Sequence, residues 1–182
     1  MYVVAAIVVL LSIAPVANML SSQQLMNASF EPLHLVNTYG AFGSITRDRY
    51  EIVLEGTSDD TLTAGTVWRE YEFKGKPGNP ARMPPQVAPY HMRLDWLMWF
   101  ESMAPVPQSR WFFNLLAGLL RGDRETLSLL RSNPFGDRPP RYVRAQYYKY
   151  TFTTPEEHRA TGLWWHRELV GAFTEPVALT TR

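Results

Sequence analysis

No charged residue occurs between Tyr2 and Leu20, and Val3 to Ile13 is aliphatic apart from Ser12. A run of about 19 such residues, at about 1.5 Å per residue in a helix, is just enough to cross a hydrocarbon core of ~30 Å. A signal peptide and the buried helix of a soluble protein share this composition, and Ala14-Pro-Val-Ala17 offers small residues near a plausible cleavage point. The basic segment that opens a signal peptide is missing, so the spanning reading is favoured. Pro15 would kink the last turns, and Asn18 with Ser21-Ser22-Gln23-Gln24 reads as the exit into the interface. No Lys or Arg occurs between Met1 and Thr46, so this flank lacks the positive charge of a cytoplasmic loop and the body is predicted to be extracytoplasmic.

The stretch Leu35 to Thr57 joins this apolar start to a charged, alternating body. Leu35 to Gly40 is β-prone, and Gly40, Gly43 and Ser44 read as a turn into a second strand. There Tyr50, Ile52 and Leu54 share one face, with Glu51, Val53 and Glu55 on the other. Thr66 to Lys74 alternates in the same way and predicts a third strand. Gly75 to Pro89 holds five prolines, too many for a helix or a central strand, and predicts an ordered loop over the sheet.

A helical segment follows, 91–132. His91 to Met103 reads as a mostly buried helix, and Ser109 to Leu120 as a second, closed by Gly122. Asp123 can cap a third short one, although its capping box is incomplete because Thr126 stands where Glu or Gln would. Strands then return, with Tyr142 to Phe152 alternating over a run without glycine or proline and Leu163 to Phe173 last. Thr154-Pro-Glu-Glu-His between them reads as a turn or a helical start. The predicted architecture is α+β: a membrane helix within residues 1–24, then an extracytoplasmic antiparallel β-sandwich-like domain, 25–182, with the helical insert 91–132.

Asn37-Thr-Tyr-Gly-Ala-Phe-Gly, then Arg49-Tyr-Glu, Glu55-Gly-Thr, Trp68-Arg-Glu-Tyr-Glu-Phe-Lys, Pro77-Gly, Pro84-Pro, Val87-Ala-Pro-Tyr, Arg93-Leu-Asp-Trp, Trp99-Phe, Asn133-Pro-Phe, Pro139-Pro-Arg-Tyr-Val-Arg and Trp164-Trp-His-Arg-Glu-Leu-Val-Gly form an ordered series. This series, covering about four-fifths of the chain, resembles the C-terminal region of the lipase maturation factor family. The resemblance implies a multi-pass membrane protein of which Tyr2 to Leu20 would be the last helix. It also implies non-catalytic assistance to the folding of secreted lipases or other clients, in the endoplasmic reticulum lumen if the source is eukaryotic. Asn27-Ala28-Ser29 fits a glycosylation sequon, which matters only in such a pathway.

The formal charge of +1 implies no general attraction to nucleic acid. The absence of cysteine excludes a disulfide scaffold, a thiolate zinc site and a cysteine nucleophile, and favours a bacterial relative over the animal members of an oxidising lumen. His34, His91, His158 and His166 show no HxH, HxxxH or HExxH spacing, so no metal is expected. Gly40-Ala-Phe-Gly-Ser44 lacks the order of a G-x-S-x-G nucleophile elbow, and no catalytic residue or cofactor is predicted. The paired indoles Trp164 and Trp165 are the candidate partner-binding residues, because neighbours on a strand point to opposite faces. Arg47, Arg49, Glu51 and Glu55, with Arg93, Asp95 and the adjacent Asp48, are predicted to form a structural ion network rather than a catalytic one. A membrane-associated enzyme and a scaffold module of a membrane complex are the rival functions.

Overall fold

A computed structural model describes residues 2–22, 25, 31–38, 48–87 and 89–179. The chain divides into two compact units, Met1–Arg47 and Asp48–Arg182. In the first, α1 (Tyr2–Leu11) and α2 (Ile13–Met19) are linked through Ser12, whose N–H and hydroxyl both donate to the Val8 carbonyl at 2.9 and 2.7 Å. Val16 N–H donates to Ser12 O at 3.0 Å, so the helical ladder carries on past the break. Tyr2 to Met19 is long and apolar enough to cross a membrane by length and composition, and none of it is buried. The predicted strand from Leu35 is not formed at residues 35–38. The rest of that hairpin, including Gly40, Gly43 and Ser44, and the Asn27-Ala28-Ser29 sequon lie outside the described residues.

The second unit is built on one antiparallel sheet. Its strands are β1 (Arg49–Thr57), β2 (Arg69–Glu70), β3 (Tyr142–Phe152) and β4 (Trp165–Val177), in the order β2-β1-β3-β4. The register sets Ile52 opposite Tyr147 and Leu54 opposite Ala145, which puts the apolar positions of both strands on one face. That face is covered by α3 (Arg93–Glu101) and α4 (Arg110–Arg121), whose Leu94, Met98, Phe112, Leu115, Leu116 and Leu119 join Ile52, Leu54, Val143, Tyr147 and Phe173 in the core. Each such side chain contributes about 1.5–3 kcal/mol by leaving water. α4 ends where Gly122 adopts φ 65°, the left-handed region that glycine enters without strain. α5 (Arg124–Ser128) follows, its N-cap Asp123 accepting the Thr126 N–H at 2.9 Å.

The sandwich expected from the sequence is replaced by this single open sheet, because helices supply the opposing layer. The segment Thr66 to Lys74 is strand only at Arg69–Glu70. Tyr71 N–H still donates to Leu54 O at 2.9 Å, and the chain then leaves the sheet to bury Tyr71 and Phe73. β4 starts at Trp165 rather than Leu163, because α6 (Pro155–Thr161) and its C-cap Gly162, at φ 72°, occupy the approach. The β3–β4 ladder shifts register at three places, between Val143 and Ala145, Ala145 and Gln146, and Tyr147 and Tyr148.

Candidate functional site

The corner between β3 and β4 holds the tryptophan pair. Thr154 caps α6 by accepting the Glu157 N–H at 3.2 Å, and Glu157 Oε2 accepts the Thr154 N–H in return at 2.8 Å. Pro155 is the first helical residue, where its missing N–H has no partner to lose. These caps fix a short helix that its seven residues could not sustain alone. Below it, Thr153 N–H donates to Trp164 O at 3.1 Å and Thr153 Oγ1–H to Leu163 O at 2.7 Å. His158 Nδ1 lies 2.9 Å from the same Leu163 carbonyl, which makes it the protonated nitrogen, and the His158 ring lies 4.0 Å from the Trp164 ring.

Trp164 precedes β4 and Trp165 opens it, so the pair is not two neighbours on one strand. Both backbone N–H groups donate to Pro80 O, at 2.8 and 3.2 Å, which pins the proline-rich loop to the corner. Trp165 is 3% exposed, stacked at 4.0 Å on Phe152 and edge-on to Tyr150. Trp164 instead lines an open apolar groove of about 580 Å³ with Met83, Pro84, Phe152, Pro155 and His158, and Arg159 at its rim. Phe152 and Met83 are each 64% exposed, so the groove continues as an apolar surface.

The sheet face turned away from the helices carries the charges. Glu51, fully buried, meets Arg49 Nε at 2.7 Å and Lys76 Nζ at 3.1 Å. Glu55 meets Arg144 Nε at 2.6 Å, and the Arg144 guanidinium lies 4.0 Å above the Trp68 ring. Arg167 forms a bidentate pair with Glu70 at 2.5 and 3.0 Å and lies over Tyr148. The Glu70 hydrogen bond holds Arg167 more firmly protonated than usual. Of the residues grouped from the sequence, Arg49 and Glu51 therefore meet, while Glu55 turns to Arg144. Among the described residues no ion pair joins Arg93 to Asp95, as residues two apart on a helix do not face each other. Asp95 accepts instead from the backbone N–H groups of Gly75 and Lys76, at 2.6 and 2.8 Å. Asp48 pairs with Lys149 at 2.7 Å, and Arg47 lies outside the described residues. Lys76, Glu70, Arg144 and Arg167 were missed, since their partners lie as far as 97 residues away in sequence. The only signal was same-face placement of Arg and Glu on separate strands.

Residues 35–175 match the family described as the lipase maturation factor C-terminal domain. The chain belongs to the lipase maturation factor family. It is 49% identical over 172 residues to human (Homo sapiens) Lipase maturation factor 1, covering 93% of this chain and 30% of that protein. Identity to Lipase maturation factor 2 of Mus musculus is 43% over 157 residues, 83% of this chain and 21% of that protein. A Gallus gallus Lipase maturation factor 2 is 39% identical over 161 residues, 85% of this chain and 22% of that protein. The chain thus spans about a third or less of the curated relatives it matches. These relatives are animal proteins, so the bacterial source expected from the missing cysteines finds no support. No solved structure matches the chain.

Proposed function

We propose that this chain assists the folding or maturation of a secreted lipase or a similar client, by binding rather than by turnover. The observation that carries the reading is the open apolar groove beside Trp164, at the end of a family match that runs through β4. The names of the relatives supply the client class, and the groove supplies a surface of the size small-ligand and peptide side-chain sites use, about 300–1,000 Å³. A client caught before folding presents unburied apolar side chains, and Trp164 with Phe152 and Met83 offers them cover. Residues 1–24 act as a membrane anchor, holding lipid through Tyr2 to Leu20. The domain 25–182 works on the extracytoplasmic side, in the endoplasmic reticulum lumen.

Co-expression with a secreted lipase tests the reading. Trp164→Ala should leave the melting temperature within a few degrees and lower the yield of active lipase several-fold. An unchanged yield with a stable variant would remove the groove from the function. Turnover of a lipid ester by the purified chain would replace it with an enzyme.

A further inference from the structure

The apolar groove at the β3–β4 corner is open to a ligand along its Phe152 side. Phe152 stacks one ring face on Trp165 at 4.0 Å, yet it is 64% exposed, so its other face is free. Met83 is equally exposed, and both line the groove with Trp164. The polar groups of the same lining are largely committed within the corner. Thr153 donates through its N–H to Trp164 O at 3.1 Å and through Oγ1 to Leu163 O at 2.7 Å. Thr154 N–H donates to Glu157 Oε2 at 2.8 Å, and Thr154 Oγ1 accepts the Glu157 N–H at 3.2 Å. Trp164 N–H is taken by Pro80 O at 2.8 Å, and Pro84 and Pro155 have no N–H to offer. A peptide laid along this wall would find few partners for its own N–H and C=O groups, a state that protein backbones avoid. An alkyl chain has no such groups to satisfy.

Arg159 supplies a polar end to the groove. It is exposed, and its Nε donates at 3.1 Å to the carbonyl of Pro155, which also lines the groove. This bond holds the guanidinium at the rim. Among the described residues Arg159 forms no ion pair, and its two terminal NH2 groups make no hydrogen bond. No carboxylate stands among the described residues of the lining to neutralise it. Glu157, on the same helix, is held by Thr154 and lies 3.3 Å from His166 Nε2. A planar guanidinium with two free NH2 groups is complementary in charge and shape to a carboxylate, which it can hold through two parallel hydrogen bonds.

We infer that this groove binds a long-chain fatty acid, its alkyl chain against Phe152, Met83 and Trp164 and its carboxylate on Arg159. The volume of about 580 Å³ lies within the range of small-ligand sites, about 300–1,000 Å³. The assignment goes beyond the client reading and does not need it, since the acid is titrated with no client present. The test adds dibromostearate, whose bromines quench nearby tryptophan, to the full chain in neutral detergent. Tyr2 to Met19 contains no tryptophan, so probe dissolved around that helix is silent. Quenching should saturate, and Trp164→Phe, which keeps an aromatic wall, should lower its final extent at least twofold. The uncharged methyl ester of the same acid should bind the unaltered chain at least tenfold more weakly, an arm that depends on no variant folding. Arg159→Gln, at an exposed position, should weaken the acid by a similar factor and leave the ester unchanged. A phosphatidylcholine with dibrominated chains should not quench saturably. Unsaturable quenching by the acid, equal binding of the ester, undiminished binding by Arg159→Gln, a Trp164→Phe chain quenched as fully as the native one, or phosphatidylcholine matching the acid would each overturn the assignment. Lipase yield plays no part in these readings, so the acid can fail to bind while the client role stands, and the reverse.

Discussion

Lys76 Nζ, in the loop after β2, sits 3.1 Å from Glu51 Oε2 on β1, with side chains 3% and 0% exposed. The lysine also donates to Ile52 O and Pro77 O and lies 4.8 Å from the Phe73 ring centre, so its charge is met on every side. Lys76→Met leaves a fully buried carboxylate with Arg49 as its remaining partner. Such a break should destabilise the domain by about 3–5 kcal/mol, measured by urea unfolding. Adding Glu51→Leu should recover part of the loss, because the pair replaced by apolar groups of similar size is close to neutral. A loss under about 1 kcal/mol would show that the pair is not desolvated.

Trp165→Ala removes a buried ring packed on Phe152 and Tyr150. It should lower stability by about 3–5 kcal/mol, as deep tryptophan truncations do. Trp164→Ala removes a groove wall and should stay within about 1 kcal/mol, both variants being measured by urea unfolding. Equal losses would place both rings in the core.

Burial pushes the Tyr150 phenol up to about 12, against a partial counter-effect from Arg167. Its hydroxyl, 1% exposed with its residue, donates to Gly78 O at 2.8 Å. Unfolded tyrosine ionises near 10, so between about pH 10 and 12 the unfolded chain loses a proton that the native one keeps. The contribution is therefore fully present below about pH 10 and is lost as pH rises through about 12, a change of about 3 kcal/mol. Urea midpoints taken from pH 8 to 11.5 should fall in the native chain. Tyr150→Phe should flatten part of that fall and lower stability at pH 8 by about 1–3 kcal/mol, through the orphaned Gly78 carbonyl. Parallel pH profiles for both proteins would contradict the assignment.

Gly118 lies on α4 where a Cβ would meet Thr126 Oγ1 at 2.5 Å and Thr126 Cγ2 at 3.0 Å. An exposed helical glycine gains about 1 kcal/mol on replacement by alanine. Here overpacking against α5, worth about 1–3 kcal/mol, should reverse the sign. Gly118→Ala should lower the melting temperature, and should lower it less when made in a Thr126→Ala background, which removes both crowding atoms. A more stable Gly118→Ala would mean that α5 moves aside freely.

The sequence was most legible where a pattern is local. β3 runs from Tyr142 to Phe152 as its alternation predicts, because eleven residues without glycine or proline leave period two unopposed. α4 closes at Gly122 for an equally local reason, the left-handed backbone that follows its last turn. The sequence leads to a sandwich because strand alternation specifies that a face is buried without specifying what buries it, and here helices do. Leu163 and the two tryptophans satisfy strand propensity, which the helix cap at Gly162 overrides, so β4 begins only at Trp165. The charged face was hidden for another reason: Glu55 and Arg144 meet only through the β1–β3 register, 89 residues apart. That Pro80 O receives both tryptophan N–H groups is a matter of tertiary placement alone, with no local pattern in the proline-rich loop to announce it.

β4 is the outermost strand, and its ladder to β3 slips three times along thirteen residues. Each slip sets two residues against one and bends the strand, so its outward N–H and C=O groups do not form the straight, evenly spaced row that another extended chain needs in order to add itself. For a protein proposed to work among half-folded neighbours, whose loose strands seek any regular border, this irregular hem is a defence. It lets the domain offer side chains at one corner without lending its backbone to the first aggregate that forms nearby.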